Sequence, residues 1–142
     1  MFAHASWTPQ RADSYERLAF LGDSVLSLAV TRHLYPRLEA GRFGAGRLTK
    51  IRAQAVSRRS CAAVAARMQV ADRLESAAPE AAMRDLARTE SVQAEVVEAI
   101  IGACFLTFGF EETASAVVET FAPEIEDAMT SVTDFKSVLQ ER

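Results

Sequence analysis

The sequence predicts an all-α domain of about seven helices, and three observations predict it. Apolar residues recur at three- and four-residue spacing along most of the chain. No alternating polar–apolar run reaches strand length. Turn-forming residues punctuate the periodic stretches: Pro36, the run "AGRFGAG", and Gly109.

Taken in order, Asp13 or Ser14 can cap a first helix that runs to about Tyr35, where Pro36 stops it. Leu48, Ile51 and Ala55 mark a second helix, and Cys61, Val64 and Met68 a third. Residues 70–90 are less periodic and hold a short helix or loop. Glu90 or Ser91 opens a strongly apolar helix, "VQAEVVEAIIGACFLTF", which Gly109 ends as a C-cap. "FEETASAVVETF" is the next helix, and Pro123 starts the last. The tail "TSVTDFKSVLQER" offers little to bury beyond Phe135 and Leu139 and reads as a linker.

The chain has 142 residues, 49% hydrophobic and 25% charged, which suits one globular domain with a real core. No apolar stretch reaches the ~20 residues that span a bilayer. The start "MFAHASWTPQ" lacks a basic segment followed by an apolar run, so a cytoplasmic location is expected. Cys61 and Cys104 stand apart, without the spacing of a disulfide framework or a zinc site. The net charge is −3, yet no acid lies between Glu39 and Asp72. That stretch holds Arg42, Arg47, Lys50, Arg52, Arg58, Arg59 and Arg67. Local sign decides what a polyanion feels, because screening limits its reach to roughly 8–10 Å. A solvated basic face is the plainer reading of the same residues.

Two helices carry acids where folding alone does not recommend them. In "SYERLAFLGDSVLSLAV", Gly22 weakens a helix interior by about 1 kcal/mol relative to Ala. Asp23 sits among Leu21, Val25 and Leu26, where a carboxylate loses water and needs a partner or a proton. Glu16 and Asp23 share one face two turns apart, and Glu95 and Glu98 share a face of the apolar helix. Facing carboxylates repel unless a hard divalent cation lies between them. Such a cation can activate water and stabilise charge on a phosphodiester. Structural alternatives stay open: Glu98 pairing with Arg88 or Arg52, Glu95 solvated at a helix edge, Glu16 favouring the helix dipole.

The motifs themselves resemble a known family. "YERLAFLGDSVL" is similar to NERLEFLGDAVL, the signature of ribonuclease III, and "SVQAEVVEAIIGACFL" to that family's SILADAFEALIGAIYL. "FAHASW" resembles its ALTHRSY segment, and "GRLTKIRA" its ELTRLRA helix. The motifs fall in the family's order from about Phe2 to the end of the chain, beginning after the family's usual first helix. The tail "TDFKSVLQER" resembles DYKTLLQE, the family's lead into a double-stranded-RNA-binding domain.

The resemblance implies an all-helical endonuclease domain over residues 1–131, with residues 132–142 as a linker-like tail. It implies a homodimer that cuts double-stranded RNA with Mg²⁺, for which Mn²⁺ can substitute, leaving 5′-phosphate and 3′-hydroxyl ends. By motif position Asp23 and Glu98 are the catalytic metal-binding acids. Glu95 stands where the family has Asp, and Glu16 is a supporting acid. Phe20 matches the aromatic residue that packs into the partner subunit, and Gly22 is expected at the two-fold axis. Lys50, Arg52, Arg58 and Arg59 are the expected RNA contacts, and no membrane is involved. One departure matters chemically: Ala19 replaces the signature's second Glu, as in the mini-III branch. Ala45 and Arg47 also stand where the family tends to have acids. The alternative is therefore a catalytically impaired dimer that binds duplex RNA or a ribosome without cutting.

Overall fold

In the computed structural model, residues 15–39, 43–77 and 85–140 are described, and their regular elements are all helices. Helix α1 spans Glu16–Glu39, α2 Ala45–Ala55, α3 Arg58–Arg67 and α4 Val70–Ala77. Helix α5 spans Glu90–Phe108, α6 Phe110–Thr120 and α7 Ala122–Gln140. The proposed caps Asp13 and Ser14, and the segment "FAHASW", lie outside the described residues.

Helices α1 and α5 form the centre, and α3 and α6 pack on them, while α2 packs on α7. The crossing of α1 and α5 explains Gly22. A Cβ placed there would run into the Glu98 carbonyl oxygen, and one at Gly102 into the Leu18 carbonyl oxygen. Hydrogen in place of Cβ lets the two backbones touch. The close approach at Gly22 is thus made within the chain, against α5. This corrects its expected placement at a two-fold axis: Gly22 is buried before any second copy arrives.

Two further expectations change. Pro36 does not stop α1, which continues to Glu39. Proline's fixed φ is helical, and in the last turn it withholds one N–H. Arg37 pairs with Glu126 of α7 at 3.1 Å and lies 2.9 Å from His33 Nε2, which ties that turn down. Burial, followed by the nearby Arg37, lowers the His33 pKa. Helix α5 is long and apolar enough to cross a membrane by length and composition. Here α1, α3 and α6 pack against it, and it carries Glu95 and Glu98.

Local signals account for most boundaries. Ser57 caps α3 by accepting from the Ser60 N–H at 3.2 Å. Thr89 caps α5 by accepting from the Val92 N–H at 3.3 Å. Gly109 ends α5 with φ of 82°, a conformation that favours glycine. Ile51 and Ala55 of α2, and Cys61 and Val64 of α3, enter the core as their spacing predicts. Met68 instead lies at the C-cap of α3, largely outside the core. The last helix runs on over residues 132–140.

Candidate active site

The α1–α5 crossing sets the chemistry beside it. Asp23 follows Gly22, and Glu98 supplies the carbonyl that Gly22 admits, so the backbone contact brings their side chains near each other. Asp23, Glu95 and Glu98 line one open cavity of about 440 Å³, together with Val56, Arg58, Ser91 and Ala94. Its walls come from α1, the α2–α3 turn, the start of α3 and the first half of α5.

The electrostatics are those of crowded acids. The Glu98 carboxyl is pushed up to about 7, first by burial, then by Asp23 and by Glu95, while Arg58 opposes the shift. Cys61 is buried near the same acids, and its thiol is pushed up to about 12 by burial, then Glu98 and Asp23. At neutral pH that thiol is a core group and no nucleophile. Tyr15, also buried, is raised by burial and by Glu95 and Glu16.

Among the described residues, no three His, Cys, Asp or Glu side chains gather closely enough to hold a metal by themselves. The described residues therefore do not form a tight protein cage for a metal. Mg²⁺ commonly takes one or two carboxylates, keeps several waters, and draws further oxygens from phosphate. The carboxylates on the walls of this cavity are those of Asp23, Glu95 and Glu98.

The structure separates the remaining candidates. Glu16 is not among the cavity's lining residues and lies towards Tyr15. Ala19 is 3% exposed, so the position of the expected second Glu is filled by core methyl. Arg52 donates to Thr31 Oγ1 at 3.2 Å and lines a different cavity with Leu34, Tyr35 and Leu48. Among the described residues no ion pair joins Glu98 to Arg52 or to Arg88, and Arg88 lies 3.8 Å from Asp72. Lys50 and Arg59 are exposed and outside the cavity. Phe20 is 82% exposed. Sequence reasoning missed Ser91 as a wall residue and Gly102 as the partner of Gly22. The second had a visible signal, a glycine one turn after Glu98 in an otherwise good helix.

The fold and cleft define a class: an all-helical domain organised around an acid-walled cleft between its two central helices. Comparison with known proteins then gives the family. The ribonuclease-III-like family pattern matches residues 1–125. Ribonuclease 3 of Bradyrhizobium diazoefficiens is 37% identical over 137 residues, covering 93% of this chain and 52% of that protein. Ribonuclease 3 of Cupriavidus necator is 36% identical over 132 residues, covering 92% and 50%. A solved nuclease domain of ribonuclease III from Campylobacter jejuni, described for flexibility in its dimer-forming region, superposes with a TM-score of 0.76. It is 29% identical, and the match covers 87% of this chain and 82% of that one. The chain belongs to the ribonuclease-III-like family. It spans about half the length of the curated relatives it matches.

Proposed function

We propose that this domain is a divalent-metal-dependent endoribonuclease that hydrolyses double-stranded RNA as a homodimer. The observation that carries the reading is the set of Asp23, Glu95 and Glu98 on the walls of one cavity. Asp23 and Glu98 would hold a divalent cation, Mg²⁺ or Mn²⁺, and Glu95 would share or orient it. When bound, the metal supplies a water of lowered pKa and charge stabilisation for the phosphodiester. Glu98 must release its proton to serve as a ligand. Asp23 is exposed, so its side chain is open to an incoming ion. In the reaction, a water oxygen bonds to phosphorus as the P–O3′ bond breaks. The water loses a proton to solvent and the 3′ oxygen gains one, leaving 5′-phosphate and 3′-hydroxyl ends.

Exposed Lys50 and Arg59 suit contacts to the duplex backbone, and A-form RNA is read through shape and backbone, so sequence preference is weak. The dimer reading is supported by Phe20, Leu28 and Tyr35. These large apolar residues share one side of α1 and are exposed. The nuclease reading applies to residues 1–131, and the last helix runs on past them to Gln140.

The test is cleavage of a long RNA duplex with Mg²⁺, using Asp23→Asn and Glu98→Gln. Full activity in both variants removes the proposal. A second reading, a duplex-binding module that does not cut, is favoured by one observation: the buried methyl of Ala19 where a ligand is expected. That protein would bind duplex RNA, with affinity falling steeply as salt rises, and leave it intact at any Mg²⁺ concentration. Ala19→Glu sharpens the choice: a large gain in Mg²⁺ affinity or rate shows a site built for that ligand.

A further inference from the structure

We infer that Arg58 anchors the non-bridging oxygens of the scissile phosphate inside the acid cleft, a role distinct from the backbone contacts of Lys50 and Arg59. The assignment rests on the hydrolytic reading above.

Its first support is position. Arg58 is the first residue of α3, directly after the Ser57 cap, and lines the same cavity as Asp23, Glu95 and Glu98. The second support is what Arg58 leaves undone. Arg32, Arg37, Arg67 and Arg88 each lie within 4.0 Å of an acid on another element. Among the described residues Arg58 forms no such pair, although it faces the cavity with the most crowded acids. A guanidinium beside three carboxylates ordinarily closes on one of them, because the bidentate geometry suits both partners. Here open space intervenes, and the planar donor fork of Arg58 is left for a third group.

Charge identifies that group. A guanidinium attracts anionic oxygen, and a divalent cation bound by the carboxylates would do the same. A phosphodiester, with its two anionic non-bridging oxygens, is the RNA group that suits such a site. The guanidinium of Arg58 offsets part of the negative charge of the acids that share its cavity, which eases the seating of a monoanionic diester there. Ala19 acts in the same direction, by omitting a fourth acid.

Arg58→Gln and Arg58→Lys test the assignment in the full chain. In single-turnover cleavage of a duplex at saturating protein, Arg58→Gln is expected to slow the reaction by ~10²-fold, as for loss of one transition-state donor. Its duplex Kd should move less than about threefold, and Arg58→Lys should recover about tenfold of the rate. Mg²⁺ binding without RNA, measured by calorimetry, should tighten by about threefold in Arg58→Gln, because a like charge has left the site. A cleavage rate within threefold of the parent, or weaker Mg²⁺ binding, overturns the assignment. If the parent chain leaves the duplex intact, hydrolysis fails as a reading, and inorganic phosphate in the presence of Mg²⁺ becomes the probe. Phosphate bound by the parent and lost in Arg58→Gln sustains the anchor; equal binding by both overturns it.

Discussion

The two ends of α3 treat carboxylates in opposite ways. At its C-terminal end, Arg67 grips Glu124 of α7 through both nitrogens, at 3.0 and 2.5 Å, and adds a bond to the Thr120 carbonyl at 2.9 Å. Glu124 is 10% exposed, and its charge is matched from within the protein. At the N-terminal end, Glu98 is also part-buried, yet no cation lies within 4.0 Å among the described residues, and its carboxyl is pushed up to about 7. A carboxylate with a matched charge fastens helices. One left against other acids is held ready for something from outside. The contrast separates a structural glutamate from a functional one without reference to motif.

Four measurements break or sharpen that contrast. The largest effect falls on chemistry. Glu98→Gln and Asp23→Asn should each cut the rate of duplex cleavage by ~10³-fold, the scale of several kcal/mol of lost charge stabilisation. Glu124→Gln should leave the rate within threefold. A Glu124→Gln variant as slow as Glu98→Gln would erase the distinction between the two ends.

Next comes the backbone contact that sets the cleft. Gly22→Val or Gly102→Val forces side-chain carbon into a carbonyl oxygen of the facing helix. Each should cost about 3 kcal/mol or more in chemical unfolding, at the upper end for overpacking. A loss below ~1 kcal/mol would mean that the helices separate without penalty, and the crossing does not position the acids.

The third effect is pH-dependent. The folded Glu98 carboxyl holds its proton up to about pH 7, while an unfolded one releases it near the ordinary glutamate value of 4.5. The cost of ionised Glu98 is therefore absent at low pH, grows between those values, and is full above about 7. Without metal, Glu98→Gln should stabilise the fold by about 1–2 kcal/mol at pH 8 and by almost nothing at pH 4. Mg²⁺ affinity in the parent chain should rise by roughly tenfold from pH 6 to pH 7.5, as the competing proton leaves. A flat affinity over that range would remove Glu98 from the ligand set.

The smallest effect belongs to the structural pair. Arg67→Ala should cost about 1 kcal/mol in thermal unfolding, because Arg67 is itself largely solvated and Glu124 keeps some access to water. Mg²⁺ affinity should not move with it.

Much of the fold was legible in the residues. Apolar spacing located the helices, Gly109 marked the end of α5, and the acids stood out as breaks in apolar stretches, although only Glu95 and Glu98 are part-buried and Asp23 is exposed. Pro36 misled, because a proline rule describes what a helix tolerates alone. The pairing of Arg37 with Glu126 is a tertiary contact that no local rule contains. Gly22 was legible as an anomaly and not as a contact, since its partner, Gly102, lies eighty residues away. The basic stretch read as one feature. In the fold Arg52 turns to Thr31, Arg67 to Glu124, and Arg58 to the cleft, since successive residues of a helix leave it in different directions.

The sequence by itself determined which groups are chemically costly: a glycine and an acid inside α1, and two acids inside α5. Each interrupts a local pattern of propensity or hydropathy, so it is visible without a fold, while the exposure of Asp23 is not. Only the tertiary structure decided which costs are met internally and which are left open. That outcome depends on distances between helices remote in sequence, where a few ångströms decide between an ion pair and a cleft.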